Sequence, residues 1–597
     1  MRFKSPRVDG FQVFAVTGTN TVSFAITSTD AAKRGLLGFA IERAEAGGPR
    51  RRVPGFKVFR SVVPRPDENT RVSTWDHPVQ SFVWDDFTGK PASAYEYRFH
   101  PLRGTPRALD RGARAVAVKV RTEELYSGGE HDVFFNRGVA SSQAYARQFG
   151  NKKPDQLPRR KAQRALQWLT RDLDDAVLRF IGSARREDAL LCCFYEFHYD
   201  PVLEALKAAI DAKVDVRIIV DAKVNERTDK EGTFHPSFPR ESNREAIGKH
   251  GIPAANVIER DANPTNIQHN KFMVLLKGKR RTPSEVWTGS TNLSLGGFSG
   301  QTNVGHWVRN GTVARAFKAY WDLVARNPGS AKPDDRAEAR RKKDAYRRAV
   351  EHLVAAPTTI AAIPRGVTPV FSPRRGQDVL KLYVDLADSA KSAACVTLAF
   401  GVNKLFREKL LDNTDESHIV YLLLEKEDKP NTRSTQPFVA INARHNVYKA
   451  WGSYIADPVY QWVRETNAKR LEFNRHVSYI HSKFLLMDPL SSDPIVVTGS
   501  ANFSAASTND NDENMLIIRG NRRVADIYFT EFNRLFNHYY FRAVQENRRR
   551  QTRATAATTA NLFLDETGTA WIRKYAPGNL RAKRLAVYAA AQGFSRG

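Results

Sequence analysis

One arrangement of side chains occurs twice in this 597-residue chain, about 210 residues apart. The first copy runs His269-Asn270-Lys271 and then Gly289-Ser290-Thr291-Asn292. The second runs His481-Ser482-Lys483, then Asp488, then Gly499-Ser500-Ala501-Asn502. What precedes each copy repeats as well. An apolar strand at 190–194, an amphipathic helix at 201–213 and a strand at 216–221 lead to the first. The same order at 394–400, 404–411 and 418–424 leads to the second. Apolar runs of this kind have to be covered on both faces, so the duplication predicts two α/β halves, about 170 residues per copy, with helices over their sheets.

Within each copy, His and Lys are one residue apart on predicted strands at 268–276 and 480–487, which period two places on one face. The Gly-Ser-x-Asn element follows 20 residues after the first His and 18 after the second. Glycine permits a tight turn there, bringing Ser and Asn toward a ligand. Lys and Asn donate to phosphate oxygens, and His supplies a nucleophile or a proton near neutral pH. A single H-x-K arises often by chance; two, each with the same downstream element, mark a phosphate-handling centre.

These paired segments resemble the H-x-K-x4-D and Gly-Ser-x-x-Asn-like signatures of the phospholipase D superfamily, over roughly residues 130–545. The resemblance implies one pseudo-twofold catalytic unit formed within a single chain, acting on phosphodiesters without a metal or other cofactor. It makes His269, Lys271, His481, Lys483 and Glu513 the catalytic set and gives Asn292, Asn502, Ser290 and Ser500 to the substrate phosphate. Asp488 and Asn303 become supporting residues. The second copy has the whole H-x-K-x4-D signature, whereas Leu276 stands where the first would have its Asp. A further difference lies downstream: Glu513 is fourteen residues after Gly499, and Asn303 fourteen after Gly289. In the family this position orients the His of the opposite half, so Glu513 is expected to face His269 and Asn303 to face His481. A carboxylate partner raises imidazole basicity, which nominates His269 as nucleophile and His481 as proton shuttle.

Ahead of the duplication, residues 11–121 alternate in the period of half-buried strands, at 11–16, 22–27, 37–42, 56–62, 80–84, 95–102 and 115–120. Short strands so spaced predict an all-β sandwich, and Ala94-Tyr95-Glu96-Tyr97-Arg98-Phe99 resembles a late strand of a fibronectin type III domain. The expected organisation is a β-sandwich at 1–125, the first half at 126–330, a charged connecting segment at 331–365, the second half at 366–545 and a C-terminal tail at 546–597. Residues 357–375 read as a loop, and Phe563, Trp571 and Tyr575 form a small apolar patch in the tail. Glu196, His198 and Asp200 read as polar residues at a strand end on the cleft rim.

Bulk composition narrows the partners. Lys and Arg outnumber Asp and Glu by 93 to 64, a net charge of +29 that favours polyanions, nucleic acid or an anionic lipid surface. The Phe503 and Glu513-Asn514 context of the second copy resembles the bacterial endonuclease branch of the superfamily, so nucleic acid leads and phospholipid is the alternative. Weaker than either is a non-catalytic polyanion-binding protein. No run approaches the roughly 18 apolar residues of a membrane helix, and the N-terminus lacks a secretory apolar core. Cytoplasmic residence is the expectation, with export by a specialised system left open. Cys192, Cys193 and Cys395 sit in hydrophobic runs and match no zinc spacing. The oligomeric state is not legible.

Overall fold

The apolar runs of the duplicated region sort their side chains into different cores by simple alternation. In the strand Ala189–Phe194, Leu190, Cys192 and Phe194 pack against the helices Leu173–Gly182 and Asp200–Asp211. Leu191 and Cys193 enter a core shared by both halves. The strand Ala393–Leu398 repeats this, with Ala394, Val396 and Leu398 under the helix Asp378–Asp388 and Cys395 in the shared core. Both faces of each strand are buried, which is why the runs are continuously apolar. The computed structural model describes the chain apart from residues 56, 67–69, 71, 139–144, 146–147, 151, 153, 231, 263–266, 330–335, 400, 415–417, 429–440, 453–479, 552–562 and 597.

Each half is a seven-stranded sheet, and the order of strands is the same in both. The first reads His131–Phe135, Val304–Val308, Thr282–Gly289, Lys271–Lys277, Ala189–Phe194, Asp215–Asp221, Val257–Arg260. The second reads Gly366–Ser372, Glu513–Arg519, Ile495–Gly499, Phe484–Met487, Ala393–Leu398, Ile419–Leu424, Val447–Trp451. In both, the last three strands run parallel and the rest pair antiparallel. The helix Gly311–Val324 of the first half reaches the second, where Tyr320 stacks on Phe371 at 4.4 Å. Reciprocally, Tyr528 on the helix Arg522–Gln551 meets Phe135 at 5.2 Å.

Two sequence expectations change here. The presumed loop at 357–375 contains the edge strand Gly366–Ser372, paired with Glu513–Arg519. Pro369 obscures it in the sequence, but an edge strand can spare an N–H on its outer side. The connecting segment is the helix Arg336–Leu353, anchored by Lys343 and Arg347 on Asp510.

The N-terminal region is sheet-rich. Strands Arg2–Lys4, Phe11–Thr17, Val22–Ser28 and Val83–Asp86 form one sheet; Gly38–Glu45, Ala94–Thr105 and Val116–Arg121 belong to a second. Of the strand expected at 56–62, residue 56 lies outside the described residues, Val58 makes a single bridge and 60–62 turn. The C-terminal segment packs back on this region. Phe563 bridges to Val58, Trp571 is buried in the N-terminal core beside Phe82, and Ser595–Arg596 adds a parallel strand to Arg2–Lys4. The apolar patch of the tail therefore covers the chain's own N-terminal sheets.

Candidate active site

His269, His481 and Lys483 lie just before their strands, and Lys271 is the first residue of its own. The strands begin at Lys271 and Phe484, and the residues just before them leave the sheet to cross between halves. Gln268 bridges Asp512, and Ile480 bridges Thr302, in a pseudo-twofold exchange. The His269 N–H donates to the Asp512 carbonyl at 2.9 Å, and the His481 N–H to the Thr302 hydroxyl at 3.2 Å. Carboxylates at the ends of the strands Asp215–Asp221 and Ile419–Leu424 hold the same stretches, with the Gln268 N–H donating to Asp221 at 2.8 Å and that of Ile480 to Glu425 at 2.7 Å. Asp512 is a further knot, accepting from Arg260 Nε at 2.9 Å and the Tyr346 hydroxyl at 2.8 Å.

The crossing brings the two histidines together, with ring centroids 6.4 Å apart. Nδ1 of His269 lies 3.0 Å from each carboxylate oxygen of Glu513. Nδ1 of His481 donates to Asn303 Oδ1 at 2.9 Å. Because the Asn303 amide nitrogen is committed to the Gly297 carbonyl, its oxygen faces the histidine and the proton belongs on Nδ1. Each lysine donates to the carbonyl of its own histidine, Lys271 at 2.6 Å and Lys483 at 2.5 Å. Lys271 also lies 5.2 Å from the centre of the Tyr195 ring.

All these groups are buried, and burial sets their protonation. Burial, and then the charges of the two lysines, push both imidazoles well below the ordinary histidine value. Burial raises the Glu513 carboxyl to about 8, lowers Lys271 to about 8, and pushes Lys483 well below its ordinary value. Lys271 thus keeps its charge below about pH 8 and loses it as pH rises. Phosphodiester turnover should fall on the alkaline side of that value, and Lys271→Arg, which does not titrate there, should flatten the fall in a pH–rate profile. A limb that survives in the Arg variant belongs to Lys483, which burial also lowers.

The glycines act by close approach. A Cβ at Gly289 would run into the Val304 carbonyl oxygen and one at Gly499 into that of Asn514, so each strand packs flush on the strand carrying Asn303 or Glu513's neighbour. Ser290 and Ser500 are placed differently from the expectation that they reach phosphate. Ser290 Oγ donates to Asn303 Oδ1 at 2.9 Å and accepts the Val304 N–H. Ser500 Oγ accepts the Asn514 N–H at 3.0 Å. Both are fully buried and hold the residues that face the histidines. Asn292 and Asn502 are both buried; Asn502 lines a cavity of about 110 Å³ with Leu398, Gly401 and Phe503.

Asp488 is a clamp on the fold. Its carboxylate accepts from the backbone N–H groups of Lys391, Ser392 and Ala393 and from the Ser392 hydroxyl, tying two strand ends. The first half makes the same tie from the opposite strand. Asp188, at the Ser392 position, accepts from Gly278 at 2.7 Å and Arg185 at 2.8 Å, which is why Leu276 is tolerated. Asp488→Ala should cost about 1–3 kcal/mol by stranding these donors, read by denaturant unfolding, and leave the histidine pair in place.

Two like halves, with paired imidazoles and lysines between them, define a phosphodiester-acting enzyme of the phospholipase D superfamily. The family model described as cardiolipin synthase, PLD-like domain matches residues 177–323 and 383–536, about half of the chain, and the chain belongs to that family. Among solved structures, phosphatidylserine synthase of Haemophilus influenzae is 12% identical, covering 70% of this chain and 93% of its own, with a TM-score of 0.40. Nuc of Salmonella typhimurium is 24% identical over 25% of this chain and 83% of its own, TM-score 0.19. Yeast tyrosyl-DNA phosphodiesterase is 12% identical over 57% and 85%, TM-score 0.28. No curated protein sequence matches the chain. Among the described residues, no helix is long and apolar enough to cross a membrane.

Proposed function

We propose that the protein is a metal-independent phosphodiesterase that hydrolyses nucleic acid through a phosphohistidine on His269. Nε2 of His269 attacks phosphorus, and the leaving oxygen departs with a proton from His481. His481 then takes a proton from water, whose oxygen attacks phosphorus and releases His269. Lys271, Lys483, Asn292 and Asn502 stabilise charge on the pentacoordinate phosphorus. The observation that carries this is the unequal pairing, Glu513 on His269 and Asn303 on His481. A carboxylate stabilises positive charge on the ring that bonds to phosphorus, whereas a neutral amide leaves the other ring free to exchange protons. Support for nucleic acid is the net charge of +29, which suits a polyanion followed over many phosphates. The family model's description favours phospholipid as the second reading. Residues 1–125 are read as a fibronectin type III-like sandwich that docks or spaces the catalytic halves.

The test is incubation in excess EDTA with plasmid DNA, single-stranded DNA, RNA and phosphatidylcholine or phosphatidylglycerol vesicles, beside His269 and His481 variants. Nucleic-acid cleavage that survives chelation and needs both histidines supports the reading. Release of choline or glycerol with the nucleic acids intact overturns the substrate assignment.

A further inference from the structure

Glu196 lies two residues beyond the strand Ala189–Phe194 of the first half. Glu196 is 1% exposed, unlike a rim residue. Residues 196–198 are zipped to the loop that carries Asn292: the Leu293 N–H donates to the Glu196 carbonyl at 3.2 Å and the His198 N–H to the Leu293 carbonyl at 2.9 Å. On top of this, Asn292 Nδ2 donates to Glu196 Oε1 at 2.6 Å. Asn292 Oδ1 is buried and has no partner among the described residues.

An amide beside a phosphate can offer its nitrogen or its oxygen, and only the nitrogen attracts the anion. A carboxylate against the amide decides between them, because turning the amide over would set Oδ1 against the carboxylate oxygen. We propose that Glu196 is a positioning residue of the reaction, which fixes the Asn292 carboxamide so that its remaining N–H is kept for the phosphate. This rests on the phosphodiesterase reading and goes beyond it by adding a second carboxylate to the site.

The device depends on ionisation. Burial lifts the Glu196 carboxyl to about 7, opposed by a hydrogen bond from Ser294, the charge of Lys271, the Asn292 bond and the charge of Lys483. His198 Nε2 is 3.8 Å away on its own segment. Below that value the protonated acid can donate to Oδ1 and release the amide; above it, only the productive orientation remains. Turnover should therefore gain an acidic limb centred near pH 7 that belongs to Glu196.

The test uses the full chain with bis(4-nitrophenyl) phosphate, a diester that turns over whatever the natural substrate. Glu196→Ala and Asn292→Ala should each lower kcat about 10- to 100-fold with KM little changed, since the amide is used in the transition state. The double variant should fall no further than Asn292→Ala alone. Glu196→Gln keeps the volume and so controls for folding; it should be intermediate and lack the acidic limb. Multiplicative losses in the double variant, or a Gln variant with an unchanged limb, overturn the inference while leaving the substrate reading intact. A wild type that cleaves this diester but not nucleic acid overturns the substrate reading and leaves Glu196 testable. No turnover of either overturns both.

Discussion

Replacing His269 with Gln should abolish covalent labelling of the protein by substrate phosphorus and lower turnover by roughly 10⁴-fold or more. Gln has no ring nitrogen to bond to phosphorus, and water cannot replace a nucleophile held beside two buried lysines, Lys271 and Lys483. His481→Gln should behave differently. On a substrate with a good leaving group such as 4-nitrophenolate, the first step needs little protonation, so label should form and then persist. Its turnover should drop about 10²–10⁴-fold, the share of a general acid and base. Acid-labile, base-stable label in the His481 variant, and none in the His269 variant, is the expected gel result. Label persisting in His269→Gln would give the nucleophile role to His481.

Glu513→Gln is expected to be nearly as severe, about 10³-fold in kcat, although it removes no atom that touches phosphorus. Once ionised, the carboxylate can only accept, so it keeps the proton of a neutral His269 on Nδ1 and the lone pair on Nε2. A carboxamide can present its N–H₂ to Nδ1 instead, which moves the proton to Nε2 and leaves nothing to attack with. Asn303→Ala should cost less, about 10-fold, and should slow loss of label more than its formation, because Asn303 supports His481. Rapid-quench measurement of the two steps separates these outcomes. If both variants slow the same step equally, the inequality of the two half-sites has no mechanistic meaning.

Much of the architecture was legible because duplication is a one-dimensional signal. The repeated order of strand, helix, strand and His/Lys segment became two sheets with one strand order. The resemblance to the phospholipase D superfamily, with fourteen residues counted from each glycine, implied Glu513 and Asn303 opposite the histidines they contact. Other features were hidden for identifiable reasons. Leu190 and Leu191 are equally apolar, so nothing in the sequence says which one faces the other half. Ser290 and Ser500 have the chemistry of phosphate ligands, and only the approach of Asn303 and Asn514 shows their hydroxyls to be taken. Glu196 looked like a solvated strand end because its partner, Asn292, is almost a hundred residues away.

What the sequence determined by itself was the pair of α/β halves and the inventory of the site: two histidines, two lysines and an unequal acid–amide pair. The halves follow from strand and helix periodicity, and the site residues from the duplicated motif with its resemblance to the phospholipase D superfamily. The tertiary structure decided which of them meet in protonation-setting contacts and which only hold the frame. Crossing of the segments at Gln268 and Ile480 puts each histidine against the opposite half. Closure of the two halves removes water from around the lysines and carboxylates. Desolvation is a property of the assembled interior, so the lowered imidazoles and the raised Glu513 and Glu196 exist only once the halves have closed.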